Sequence, residues 1–271
     1  MNHPQSPAWI VVGIDGSDAA INAAKWAVAE ATSRDIGLRL IHAIAERRPA
    51  ENAGDESLDI EYGETALQVA CGALHAMGEP VKIEAELVQG PPDSALIKES
   101  EHAAMICIGS IGLTPLALRI LGSTAESVAK NAHCPVAVIR SVHQSNEPTS
   151  GSVAVVVDDS PGNDTVLEHG FREARLREAP ILALGVWRWG FGEIPYEQLN
   201  RRLARWVTEY PEVHVRPAAA RNGAAEFLAN TQERLELAVV GSAEAGKIAR
   251  MVGPHHPHFG HAGCSVLVVR D

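Results

Sequence analysis

The chain carries the same order of strand-like and helix-like segments twice, and this repetition limits the folds that it can adopt. Three pairs of segments correspond: residues 10–15 with 153–158, 106–110 with 238–242, and 134–140 with 264–270. The interval between corresponding residues shortens along the chain, so the second copy has lost residues internally. A tandem duplication accounts for both observations.

Within each copy, short apolar runs alternate with longer segments of helical pattern. Such alternation is typical of a parallel sheet with helices on both faces. The segment between the copies is rich in Ser, Gln, Asn, Pro and Thr, as linkers are. We therefore predict an α/β protein with domains at residues 1–141 and 152–271 and a linker at 142–151, each domain holding an open, parallel, five-stranded sheet.

A glycine-rich string follows the strand-like run 104–108 of the first copy. It reads Gly-x-x-Gly-x9-Gly-Ser and comprises Gly109, Gly112, Gly122 and Ser123. A helix-like run begins at Ser123, so the string would deliver the unpaired N–H groups of a helix N-terminus to one place, an arrangement that suits phosphate. Glycine also lets the backbone approach an anion closely. The alternative is that these glycines serve only as turn residues.

The string is neither a Walker A loop nor a dinucleotide fingerprint, because neither spacing occurs in the chain. It resembles the ATP-binding motif of the universal stress protein family, which it matches at every fixed position. With the repeat, the resemblance extends over nearly the whole chain, to the tandem two-domain members. It implies the strand order 3-2-1-4-5 in each domain and ATP at the carboxyl ends of the strands, where strands one and four diverge.

The resemblance also implies site residues. Asp15, at the end of the first strand, would face the adenine or ribose edge or a phosphate-bound Mg²⁺. Its alternative role is to cap the helix that begins near Asp18. Arg119 would reach the phosphates or else lie in a solvated loop. The predicted ATP-binding residues are Gly13, Asp15, Ala43, Gly109, Ser110, Gly112, Arg119, Gly122, Ser123 and Thr124.

The second copy departs from this pattern. Glu244 stands where the string requires its second glycine, Pro254 replaces the serine, and Val156 replaces Gly13. A carboxylate repels phosphate and proline lacks an N–H, so we expect the second site to be weak or empty. Its residues would be Asp158, Val186, Gly241 and Gly253.

Four histidines crowd into residues 255–261 of the second copy. Histidine clusters bind zinc or nickel, but metal sites need fixed, convergent geometry. Pro254, Pro257 and Gly260 interrupt the helical pattern at this segment, so we interpret it as an irregular loop and predict no metal site.

Composition excludes several functions. The net charge of −11 argues against a general nucleic-acid binder or a binder of anionic membranes. The apolar runs are too short to span a bilayer, and the first residues lack the features of a signal peptide, so we expect a cytoplasmic protein without membrane insertion. The cysteines show no CxxC spacing and are expected to be buried thiols.

No catalytic nucleophile or base is evident, so dedicated catalysis is not predicted and slow ATP hydrolysis is the most we expect. The hypothesis is an ATP-binding regulator of stress or dormancy adaptation, acting on an unidentified protein partner. The alternatives are a scaffold of the same fold without nucleotide and, with less support, an adenylate-chemistry enzyme. Family members commonly pair through their last strands, so residues 136–140 and 266–270 would join the domains or form a homodimer.

Overall fold

The computed structural model describes residues 9–44, 53–111, 121–140, 151–186, 196–253 and 263–270, with backbone alone for 53–56. The chain divides into two compact units, Met1–Ser141 and Val142–Asp271, called unit 1 and unit 2 below. Each unit is an α/β fold, as the alternating pattern predicts.

Unit 1 contains parallel strands in the order β3-β2-β1-β4-β5. This confirms the expected order 3-2-1-4-5 and places β1 in the centre. The strands are β1 Trp9–Gly13, β2 Gly37–Ile44, β3 Ile83–Gln89, β4 Met105–Gly109 and β5 Val136–Ile139.

Unit 2 repeats the topology, with the order β10-β9-β6-β7-β8 and every pair parallel. Read from β8 to β10, with the strands numbered from the first strand of the unit, the order is again 3-2-1-4-5. The strands are β6 Ser152–Val157, β7 Ile181–Gly185, β8 Val215–Ala219, β9 Leu235–Gly241 and β10 Ser265–Val269.

The strands are short and apolar because helices cover both of their faces. Every residue of β6 and β7 is buried. By contrast, β3 is mostly exposed and carries Glu84 and Glu86 among its apolar residues. The difference between central and outer strands explains why the apolar runs of the sequence locate the inner strands most clearly.

Unit 1 has helices α1 Asp18–Arg34, α2 Ala53–His75, α3 Pro92–Glu99 and α4 Ser123–Asn131. The apolar pattern predicts that α2 begins near Glu61, and this start is wrong, because the helix begins at Ala53. The early residues are rich in acidic side chains, which favour the positive N-terminal end of a helix. The buried face of α2 comprises Gly63, Ala66, Leu67, Ala70 and Leu74.

Unit 2 has helices α5 Asn163–Leu176, α6 Tyr196–Glu209, α7 Ala224–Asn230 and α8 Ile248–Val252, with a 3₁₀ segment at Ser242–Lys247. An aromatic cluster joins α5 to α6. The Phe171 ring centroid lies 6.0 Å from that of Trp206 and 5.4 Å from that of Tyr210, and all three side chains are buried.

No helix in the described ranges is long and apolar enough to cross a membrane. None of the four cysteines, all of them in the described ranges, forms a disulfide bond; Cys107, Cys134 and Cys264 are buried and Cys71 is partly buried. Burial raises the pKa of the Cys71 thiol.

Phe171→Ala should lower the free energy of unfolding by about 3 kcal/mol or more, because it leaves a cavity under Trp206 and Tyr210. Urea denaturation followed by tryptophan fluorescence measures the change. Val207→Ala, on the exposed side of α6, is the matched control and should change the free energy by about 0.5 kcal/mol or less. Equal effects of the two substitutions would contradict the role of the aromatic cluster.

Candidate functional site

A cavity of about 460 Å³ opens in unit 1 at the carboxyl ends of β1, β2 and β4. Three helices border it: α1, α3 and α4. Strands β1 and β4 are neighbours in the sheet, so the cavity lies at the switch point of the strand order. Its lining residues are Gly13, Ile14, Asp15, Ser17, Ala20, Ile41, His42, Ala43, Pro92, Leu96, Ile108, Gly109, Ile111, Gly122, Ser123, Thr124 and Ala125.

The cavity brings together most of the residues that the sequence predicts. Those in its lining are Gly13, Asp15, Ala43, Gly109, Gly122, Ser123 and Thr124. The predicted residues Gly112 and Arg119 lie outside the described residues.

Ser110 is not in the cavity lining. Its side chain is buried, and its Oγ has no hydrogen-bond partner in the described part of the chain. Its main-chain N–H donates to the Ile139 carbonyl oxygen over 2.9 Å, and its own carbonyl oxygen accepts from the Gly122 N–H over 2.8 Å. Ser110 therefore ties together β4, β5 and the start of α4, and its main chain supports the cavity wall.

Asp15 follows β1 directly, and a tight turn fixes its carboxylate. The Ser17 N–H and hydroxyl both donate to Asp15 Oδ1, over 3.0 and 2.6 Å. Ser17 also caps α1, since its Oγ accepts the Ala20 N–H over 3.2 Å. The alternative that Asp15 caps this helix is therefore wrong, and the carboxylate is held beside the cavity instead.

Helix α4 presents an uncapped N-terminus to the cavity. The residue before it, Gly122, has no side chain to accept a hydrogen bond, and the first helical bond runs from the Glu126 N–H to the Gly122 carbonyl oxygen. The N–H groups of Ser123 and Thr124, in the cavity lining, thus have no acceptor within the helix. Together with the helix dipole they favour an anion at this end of the cavity.

The two ends of the cavity differ in charge. Asp15 is the one carboxylate in the described lining, and neither Lys nor Arg occurs in it. The end at β2 is bordered by Ile41, His42 and Ala43, and two strand spacings, roughly 10 Å, separate it from the end at β4 and α4. The cavity therefore suits an elongated ligand whose anionic end lies at α4.

Glycine is required at two positions of the wall for different reasons. A Cβ on Gly13 would lie 3.0 Å from Leu96 Cδ1 and 3.2 Å from Ile108 Cγ2, so any side chain there would crowd these two residues of the cavity lining. A Cβ on Gly109 would lie 2.8 Å from the Ala19 carbonyl carbon, because α1 packs directly on the end of β4. Gly109 is thus needed for the packing of α1 as well as for access to the cavity.

Unit 2 repeats the turn with larger side chains beside it. Asp158 Oδ1 accepts from the Ser160 N–H and hydroxyl over 2.8 and 2.6 Å, as Asp15 does from Ser17. Val156, buried, takes the place of Gly13. Asn163, also buried, takes the place of Ala20, and its Nδ2 donates to the Val156 carbonyl oxygen over 2.9 Å. Two positions that line the cavity in unit 1 therefore carry larger side chains in unit 2.

The second-site prediction fails at Gly253. Gly241 ends β9, and the chain then returns through the 3₁₀ segment and α8 to Gly253. A Cβ on Gly253 would lie 3.0 Å from Gly263 Cα, and the Cys264 N–H donates to the Met251 carbonyl oxygen. Gly253 therefore lies near the start of β10, about 13 Å along the strand from the edge that holds Asp158 and Gly241.

The path of the chain from Gly241 to Gly253 changes which segments of the two copies correspond. The 3₁₀ segment and α8 follow β9 directly, so they occupy the place in the chain order that precedes the last strand, as α4 does in unit 1. Glu244 lies in the first turn of the 3₁₀ segment and pairs with Lys247 over 2.9 Å. Val186 follows β7, at the register position of Ala43. Pro254 and the histidine cluster lie outside the described residues.

Several residues of the cavity escape the sequence prediction. Ser17 could have been found, since Asp-x-Ser at a strand end predicts the turn that fixes the carboxylate. Leu96 and Ala20 could not, because apolar residues on helices do not reveal which of them border a cavity. Among the described residues, no group of three or more His, Cys, Asp or Glu side chains is arranged to hold a metal ion.

Comparison with known proteins identifies the relatives of the chain. The model of the universal stress protein family matches residues 9–140. Universal stress protein Rv2624c of Mycobacterium tuberculosis H37Rv is 47% identical over 96% of this chain and 96% of its own length, and Rv3134c of that strain is 40% identical over 100% and 99%. The crystal structure of a universal stress protein from Archaeoglobus fulgidus superposes with a TM-score of 0.71 at 17% identity, covering 97% of this chain and 96% of the other, which indicates the shared fold.

The corresponding glycines of β4 and β9 give a matched pair of substitutions. Gly109→Ala should lower the free energy of unfolding by about 1 to 3 kcal/mol, because its Cβ displaces the α1 backbone. Gly241→Ala should be tolerated, since the nearest atom, Val166 Cγ2, is 3.6 Å from its Cβ. Urea denaturation of both variants measures the difference, and an unaffected Gly109→Ala would contradict the close packing of α1 on β4.

Proposed function

Because the chain belongs to the universal stress protein family, we propose that the cavity of unit 1 binds an adenine nucleotide, and ATP in particular. One observation carries the proposal: a single cavity joins the uncapped N-terminus of α4, beside the end of β4, to the carboxylate of Asp15 at the end of β1 and to the end of β2, roughly two strand spacings from β4. The α4 end suits phosphates, and the other end suits an uncharged group with hydrogen-bond donors.

In the proposed arrangement, the phosphates lie against the N–H groups of Ser123 and Thr124, and the adenosine lies toward β2. The apolar side chains of Ile41, Leu96 and Ile108 line the wall between these ends and suit a flat base. Asp15 would accept a hydrogen bond from the ribose or base. A lone carboxylate together with phosphate oxygens is also a donor set that suits Mg²⁺.

The proposal assigns one nucleotide to each chain. Val156 and Asn163 fill the positions that Gly13 and Ala20 leave open in unit 1, and Glu244 lies in the turn where phosphate would be needed. These side chains support the prediction that unit 2 binds nucleotide weakly or not at all.

We further propose that the bound nucleotide regulates assembly or the choice of a protein partner during stress adaptation in the cytoplasm. The described lining holds Asp15 and His42 but no arrangement of nucleophile, base and orienting group, and this supports binding more than designed catalysis. The alternative is a scaffold that works without nucleotide, and the following experiments would favour it if they detected no ATP binding.

Purified protein should bind about one ATP per chain, as measured by equilibrium dialysis. Asp15→Ala should weaken the binding by about ten-fold or more, because it removes a hydrogen bond to a charged group. The corresponding Asp158→Ala removes the same turn from unit 2 and should leave the affinity unchanged. It therefore controls for the effect of the turn on folding.

The stoichiometry separates the alternatives. Two ATP per chain would contradict the filled second site, and no binding at all would favour the scaffold. Equal losses in Asp15→Ala and Asp158→Ala would show that the site is misplaced.

Ser123→Pro tests the role of the α4 N–H groups. Proline fits the first position of a helix, and Gly122, with φ −69° and ψ 148°, already has the conformation that precedes proline. The substitution should therefore preserve stability but weaken ATP binding by about five-fold or more, because one donor to a charged group is lost.

Ser123→Ala is the matched control, since it removes the hydroxyl and keeps the N–H. Isothermal titration calorimetry compares the two variants. If Ser123→Ala weakened ATP binding as much as Ser123→Pro, the hydroxyl rather than the main chain would hold the phosphate.

A further inference from the structure

The first two strands of each unit separate at different points, although their sequences correspond. In unit 2 the pairing of β6 with β7 extends to Val157 opposite Gly185, and the Val186 N–H then donates to the Val157 carbonyl oxygen over 3.1 Å. In unit 1 the pairing of β1 with β2 ends one step earlier, at Gly13 opposite Ile41. The residues that correspond to Val157 and Val186 are Ile14 and Ala43.

In unit 1 a side chain, and not the main chain of β2, donates to the carbonyl oxygen that corresponds to that of Val157. The Nδ1 of His42 lies 2.8 Å from the Ile14 carbonyl oxygen. A carbonyl oxygen can only accept, so Nδ1 carries the proton and donates. The position of His42 is occupied in unit 2 by Gly185, which has no side chain, and there the main-chain bond forms instead. Unit 2 thus shows what the strand ends do without the imidazole.

Helix α2 holds the imidazole in place. The backbone of Gly63 is so close that a Cβ there would lie 2.6 Å from His42 Cδ2. The Tyr62 ring meets the imidazole edge-on, with centroids 5.8 Å apart, and its hydroxyl donates to the Asp15 carbonyl oxygen over 2.9 Å. Side chains from β2 and α2 therefore hold the carbonyl groups of both Ile14 and Asp15.

We propose that His42 is a positioning residue of the nucleotide site: its imidazole takes the Ile14 carbonyl oxygen and so keeps the main-chain N–H of Ala43, a residue that the family resemblance already assigns to ATP binding, free to donate to the base. The inference rests on the proposed function, since His42 and Ala43 line the same cavity. A main-chain donor at this end recognises a ring nitrogen acceptor such as those of adenine. The phosphates at α4 do not depend on it.

Amide hydrogen exchange at Ala43 tests the first part of the inference directly. In the ligand-free protein, the Ala43 amide should exchange about a hundred-fold faster than that of Val186, its hydrogen-bonded counterpart, and ATP should slow it. In His42→Leu, which keeps the bulk but removes the donor, the Ala43 amide should be protected without ligand. His42→Asn, whose Nδ2 can take the position of the imidazole Nδ1, should behave as the wild type.

Affinity separates this role from a merely structural one. His42→Leu should weaken ATP binding about ten-fold and leave the binding of inorganic tripolyphosphate unchanged, whereas His42→Asn should bind both within about three-fold of the wild type. A His42→Leu protein that binds ATP normally would overturn the inference, and so would an Ala43 amide as protected as Val186 in the free wild type.

The outcomes also separate this inference from the proposed function. A wild type that binds no ATP but has a fast-exchanging Ala43 amide would reject ATP as the ligand and keep the role of His42 in opening the strands. Equal losses of ATP and tripolyphosphate binding in His42→Leu would overturn the inference while the proposed function stood.

Discussion

The candidate site depends on the central position of β1 in its unit. Its neighbours on the two sides are β2 and β4, and their carboxyl ends separate from β1 where the strand order reverses. A crevice at that edge follows from the topology alone. The two units differ in the size of the side chains at this edge, since Val156 and Asn163 stand in unit 2 where unit 1 has Gly13 and Ala20.

The comparison within one chain shows how few changes are needed. Both units keep the aspartate turn at the end of their first strand, with Asp15 and Asp158 held by a serine in the same way. Glycine and alanine at two neighbouring positions leave space in unit 1, whereas Val156 and Asn163 occupy it in unit 2. The duplicated fold therefore carries the same aspartate turn twice, with small residues beside it in unit 1 and larger, buried residues beside it in unit 2.

The same comparison explains why the main chain matters more than charged side chains here. With neither Lys nor Arg in the described lining, the N–H groups of α4 are the donors that favour an anion. Opposite them, the early separation of β1 and β2 exposes main-chain groups near Ala43. Main-chain donors tolerate variation in side chains, so such a site can persist while the sequence around it changes.

The sequence by itself determined the alternation of strands and helices, the repeat and the place of the glycine string, because strand burial and turn chemistry are local patterns. It also indicated Asp15 and Ser123 as residues of the cavity, whose positions follow from the end of a strand and the start of a helix. Only the tertiary structure decided that the buried Ser110 lies outside the cavity lining, that Gly253 lies near the start of β10, and that His42 holds the Ile14 carbonyl oxygen. These features depend on which segments pack together across long separations in the chain, and local sequence patterns do not encode such contacts.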